Sequence, residues 1–151
     1  MIRSRLLVIH EQTTAWSRQL KPRLAAKPIR WRETRTAEDV ENALEGSSSA
    51  IVVVDLGTRP TSGLEAIARA TGTLGNPLVL ALEPNDRRTV ADLAEELGAT
   101  LVLRGRVAPP VVASLLADRW LPLSQRRADI EGHADGDRQW PEPWNRFAPT
   151  R

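Results

Sequence analysis

No cysteine occurs in the 151 residues, which excludes a disulfide framework and any thiolate metal site and leaves nothing that argues for an oxidising compartment. No long apolar run occurs either. The segment Met1 to His10 carries two arginines around a short hydrophobic stretch, shorter than a signal-peptide core with its cleavage site and far short of a bilayer span. The loop His10-Glu11-Gln12-Thr13-Thr14 contains no glycine, so the phosphate-cradling turn of nucleotide-binding βα units is missing after the first apolar run. These absences point to a cytoplasmic protein without membrane contact, and they count against a flavodoxin-like enzyme or nucleotide binder.

The length suits one domain with a buried core and a short tail. Net charge is +2, but residues 1–35 hold nine Lys/Arg against two acids, residues 36–123 seven against twelve, and residues 124–151 five against five. The basic excess is therefore not a long cationic tail, and nucleic acid is not the expected partner. Arg3, Arg5, Lys21, Arg23, Lys27, Arg30 and Arg32 form either an ordinary solvated face or a surface for an anionic partner, whose mark would be steep salt dependence.

Two hydrophobic periods alternate along the chain. Strand-length apolar runs occur at Leu6 to Ile9, Ala50 to Val54, Leu78 to Leu82 and Leu101 to Leu103, nearly continuous as buried parallel strands are. Pro28 to Thr34, where Ile29 and Trp31 alternate with Arg30 and Arg32, suits an edge strand with one wet face. Between the runs the spacing is helical: Trp16, Leu20 and Leu24; Val40 and Leu44; Leu64, Ile67 and Ala68; Val90, Leu93, Ala94 and Leu97; Val112, Leu115, Leu116 and Trp120. Thr36 and the pair Asn85-Asp86 read as N-caps, and Gly46 and Gly98 as helix stops. Pro22 should kink or shorten the first helix, because it lacks a donor and collides with the preceding turn.

The pattern is (βα)₅, which implies a doubly wound five-stranded parallel sheet of the flavodoxin-like order 2-1-3-4-5. In that order the crevice opens at the carboxyl ends of strands one and three. His10, Glu11 and Asp55 are expected to converge there.

The stretch Ala50-Ile-Val-Val-Val-Asp55-Leu-Gly-Thr-Arg-Pro60-Thr-Ser-Gly63-Leu-Glu resembles the third strand and following loop of the receiver domain of bacterial response regulators. The similarity extends over residues 4–121, with Pro77 before strand four and Leu97-Gly98-Ala99 before strand five. The resemblance implies that Asp55 is the phosphoacceptor candidate and that His10 and Glu11 occupy the acidic-pocket positions, where family members hold magnesium. Leu82 stands at the hydroxyl switch position, and Arg104 or Arg106 at that of the lysine. Imidazole in place of a carboxylate weakens a magnesium site, and leucine cannot bond a phosphoryl oxygen. Asp55 then has two readings. It takes a phosphoryl group, with Glu11 and Asp55 holding a metal, or it caps its loop or pairs with Arg104 or Arg106. A transition metal on His10, Glu11 and Asp55 is a further alternative.

The resemblance also implies a partner or homodimer face on helix four, strand five and helix five. That face would present Arg87, Arg88, Asp92, Glu95, Glu96, Arg106 and Asp118. Trp16 and Trp120 fall on inner helix faces and are expected in the core. The expected domain is residues 1–123. Residues 124–151 read as a polar tail, not a continuous helix, whose Trp140, Trp144 and Phe147 either belong to a disordered segment or dock on the domain or a partner. No output domain is expected in the residues that follow. The expectation is a stand-alone, non-enzymatic signalling module that binds a protein partner without normal phosphorylation-dependent switching; the alternatives are a phosphorylatable regulator using Asp55 and the anion binder.

Overall fold

The apolar runs lie side by side in a computed structural model that describes residues 4–136, with the side chains of 132–136 left undescribed. The elements are β1 (Arg5–His10), α1 (Ala15–Arg23), β2 (Ile29–Thr34), α2 (Ala37–Leu44), β3 (Ile51–Asp55), α3 (Pro60–Thr71), β4 (Leu78–Glu83), α4 (Arg88–Glu96), β5 (Leu101–Arg104), α5 (Pro109–Leu115), a π turn (Leu116–Trp120) and α6 (Leu121–Gly136). All strand pairs are parallel, in the order β2-β1-β3-β4-β5. Among the described residues, no helix is long and apolar enough to cross a membrane.

Side chains alternate across a strand, so the sheet divides the core in two. Leu6, Val8, Val52, Val54, Val79 and Ala81 pack with Val40, Ala66 and Ile67 of α2 and α3. Leu7, Ile9, Ile51, Val53, Leu80 and Leu82 pack on the other face with Leu20, Val112, Leu116 and Trp120. Both tryptophans take the expected places, Trp120 buried and Trp16 half-buried against the same cluster. A Cβ on Gly63 would lie 2.5 Å from a methyl of Leu56; glycine there lets α3 close onto β3.

Local signals mostly hold. The Thr36 hydroxyl accepts from the Asp39 N–H at 3.1 Å, Gly46 and Gly98 have positive φ just beyond α2 and α4, and α1 ends one residue after Pro22. Asn85-Asp86 does not cap α4. Arg87 occupies that place without a side-chain cap bond, because Asn85 instead reaches the Gly57 carbonyl and Asp86 pairs with Arg104.

The expected boundary between 123 and 124 falls inside a helix. Pro122 has no N–H and needs room for its ring; the wider π turn just before it, closed by Leu121 N–H to the Leu116 carbonyl, supplies that room. It also turns Leu121 and Ser124 inward beside Trp120. The buried Ser124 hydroxyl donates to the Ser49 carbonyl and accepts from Arg5 Nε at 3.1 Å, while Arg5 Nη2 donates to the Ser48 carbonyl at 2.6 Å. Arg5 is thereby drawn out of the expected basic surface. Arg3, Trp140, Trp144 and Phe147 lie outside the described residues.

Candidate functional site

β1 and β3 end side by side, His10 pairing in register with Val54, and the next residues turn three ionisable groups in different directions. Asp55 is half-buried, and its Oδ1 accepts from the Gly57 N–H at 3.1 Å. Its register partner on β4 is the buried Leu82. Burial raises the Asp55 pKa; the Gly57 N–H opposes this, Glu83 adds to it and Arg87 again opposes.

Glu11 is fully buried and its carboxylate caps α1. One oxygen accepts from Trp16 N–H at 3.1 Å and the Thr13 hydroxyl at 3.2 Å, the other from Ser17 N–H at 3.0 Å. The N-cap residue Thr14 makes no such bond, so Glu11 satisfies donors that a helix start leaves open.

Strand alternation sends His10 to the opposite face of the sheet from Asp55. Its Nδ1 lies 3.1 Å from Thr34 Oγ1 and its Nε2 3.1 Å from Ser62 Oγ. Burial, then the positive charge of Arg35, lowers its pKa to about 4 against the pull of Asp39, so the ring is neutral.

The expected convergence of His10, Glu11 and Asp55 is thus corrected. Among the described residues, no three His, Asp or Glu side chains gather to hold a metal ion. Magnesium demands near-octahedral oxygen donors, whereas both Glu11 oxygens already accept backbone N–H groups and His10 faces away. The residues do not fit a magnesium site on Glu11 and Asp55, nor a transition metal on all three.

Arg104 turns outward, its Nε 2.9 Å from Asp86 Oδ1, and Arg106 is exposed. Of the two structural readings of Asp55, the geometry has the loop cap; Arg104 is committed to Asp86. Arg87, expected on the partner face, is half-buried and has its guanidinium turned to the fold. Its Nη2 donates to the Leu56 carbonyl at 2.7 Å, and its guanidinium lies 3.0 Å from the Glu83 carboxylate, which is wholly buried and also accepts from Asn85 N–H at 2.8 Å. Arg88, Asp92, Glu95, Glu96, Arg106 and Asp118 are exposed, with β5 only partly covered.

Sequence reasoning passed over Glu83, although an acid ending an apolar run with arginine four residues on is a readable pair. It also missed Thr34, Ser62, Gln12 and Arg35 around His10. Ser62 is 52 residues from its partner His10, and no local spacing announces the contact.

No family model matches the chain, and no curated protein matches it. Solved structures do. The signal receiver domain of a putative Luxo repressor protein from Vibrio parahaemolyticus is 18% identical with a TM-score of 0.66, over 90% of this chain and 100% of that one. The receiver domain of the sensor histidine kinase PA1611 from Pseudomonas aeruginosa, with magnesium coordinated in its active-site cleft, is 12% identical with a TM-score of 0.64, over 79% of this chain and 98% of that one. The BeF3-activated DrrB receiver domain is 18% identical with a TM-score of 0.63, over 79% and 98%. This chain has the receiver-domain fold. At these identities the likeness is one of architecture, and the side chains of the receiver crevice are this chain's own.

Proposed function

We propose that this protein is a receiver-fold signalling module that works by binding a protein partner, without the phosphoryl-driven switch associated with the fold. The observation that carries the reading is Glu11: its carboxylate, at the position where the resembled family holds magnesium, is spent on three donors at the start of α1. Phosphoryl transfer depends on metal and positive charge around the acceptor. Around Asp55 stand Leu82, which offers no hydrogen bond, and a Gly57 N–H already bound, while Arg104 is engaged elsewhere.

A binding role fits the face of α4, β5 and α5. It combines mixed charges at Arg88, Asp92, Glu95, Glu96 and Arg106 with a half-open edge strand whose Leu101 is exposed, whereas Asp118 lines a groove with Arg23 and Leu24 at the end of α1. Such rims set encounter rate and partner choice; a protein partner or a second copy of this chain would use it.

The test is an amide NMR titration of the full chain with magnesium and then beryllofluoride, repeated on Asp55→Asn. The expected result is a spectrum unmoved at millimolar concentrations of both. Saturable shifts around Glu11, Asp55 and Arg104 to Arg106 that vanish in the variant would overturn the reading in favour of phosphoryl signalling through Asp55.

A further inference from the structure

His10 sits between two hydroxyls, and Gln12 fixes one of the bonds around them. Gln12 Nε2 lies 2.9 Å from the Arg35 carbonyl and 3.2 Å from Ser62 Oγ. A carbonyl only accepts, so this atom is the amide nitrogen, and its second hydrogen goes to Ser62 Oγ. Ser62 Oγ keeps a second lone pair and its own proton, so toward His10 Nε2, 3.1 Å away, it either donates or accepts. Where Ser62 donates, Nδ1 carries the ring proton and donates to Thr34 Oγ1, 3.1 Å away. The order Ser62, His10, Thr34 is that of a hydroxyl, a base within reach of it, and a third group that holds the base in one tautomer.

The surroundings suit attack by that hydroxyl. Ser62 is half-buried and lines a surface cavity of about 450 Å³ with Thr58, Arg59, Pro60, Thr61 and Glu65. It lies in the first turn of α3, where the N–H groups of Thr61 and Ser62 have no intrahelical carbonyl to bind. Oxygen charge developing on an adduct at Ser62 would form beside them. The neutral state of His10 leaves Nε2 free to take a proton at physiological pH, and its weak basicity makes the reaction slow.

We propose that Ser62 is a nucleophilic serine, with His10 as its base and Thr34 as a positioning residue, and that it is acylated by small carboxylic esters. The Ser62 Oγ lone pair forms a bond to the ester carbonyl carbon as its proton passes to His10 Nε2. The bond from that carbon to the alkoxy oxygen then breaks, and the proton moves from His10 to the departing oxygen, releasing the alcohol. Water attacks the acyl-Ser62 carbonyl, loses a proton through His10 to Ser62 Oγ, and the carboxylic acid leaves. This site is on the other face of the sheet from Asp55 and stands apart from the partner-binding proposal.

The test uses the full chain with p-nitrophenyl acetate and, separately, an alkyl fluorophosphonate. The expected results are one equivalent of released nitrophenolate per chain in a slow burst, and a single phosphonylated peptide containing Ser62. Ser62→Ala should abolish both, and His10→Asn should slow labelling by about a hundredfold. No labelling of the native chain, labelling undiminished in Ser62→Ala, or an unchanged rate in a folded His10→Asn would each overturn the proposal. A long-range ¹H–¹⁵N spectrum of the unaltered protein gives a measurement that does not depend on a variant folding. A ring proton on Nδ1 is expected, and one on Nε2 would overturn the assignment.

Discussion

The Arg87 guanidinium joins the buried Glu83 carboxylate to the Leu56 carbonyl, fastening the start of α4 to the backbone just past Asp55. Removing one partner of such a pair leaves a buried charge without its counter-ion. Because Arg87 is itself about one-third exposed, Arg87→Ala is expected to cost about 2–3 kcal/mol, read as a lower urea midpoint with an unchanged slope. A loss no larger than that of a surface substitution would show that Glu83 finds another partner.

His10 gives a dependence on pH with a definite sign. Its pKa falls from 6.5 to about 4 on folding, so between those values the unfolded chain binds the proton and the folded chain does not. The stabilisation is complete above 6.5, declines as pH falls, and is gone below about 4; over the full range it is on the order of 3 kcal/mol. Unfolding free energies between pH 5.5 and 7 should slope upward in the native chain and flatten in His10→Asn.

Asp55 works in the opposite direction. Its pKa is raised from 3.8 by burial and by Glu83 against the opposing Gly57 N–H and Arg87, so its contribution is present below 3.8 and lost as pH rises through the folded value. Ionised Asp55 therefore weighs against the fold at neutral pH. Asp55→Asn, which retains an oxygen for the Gly57 N–H, should raise the thermal midpoint at pH 7, with the gain vanishing below pH 3.8. A lower midpoint at pH 7 would mean that the carboxylate has a favourable partner.

Gly63→Ala places a methyl against Leu56 and Val54. Overpacking of this kind costs about 1–3 kcal/mol, and here it pushes α3 off the sheet. The His10 ring signals should shift as Ser62 moves away, together with a lower denaturation midpoint; unchanged His10 signals would mean that the helix absorbs the methyl locally.

Strand order, both cores and the inner placement of the tryptophans were legible because each rests on a period or a local preference: near-continuous apolar runs such as Ile51 to Val54, or the Thr36 cap. The crevice was legible only in outline. Asp55 was found at the end of β3, but alternation was not followed through His10, whose side chain therefore belongs with α3 rather than with Asp55. Glu11 read as a ligand, because its competing donors, Trp16 and Ser17 N–H, exist only once α1 has formed. The break placed after residue 123 followed composition, whereas a π turn and the buried Ser124 carry the helix on.

That helix gives the domain a lever. From Pro109 through the π turn to Gly136 the backbone is helical, and α6 runs about 18 Å past the point where Ser124 and Arg5 clasp it to the sheet. The arm from Pro109 to the clasp is about 22 Å. A tilt of about 10° that moves the start of α5 by about 4 Å therefore moves the far end of α6 by about 3 Å, and a displacement on one side of the clasp is carried to the other at nearly its own size.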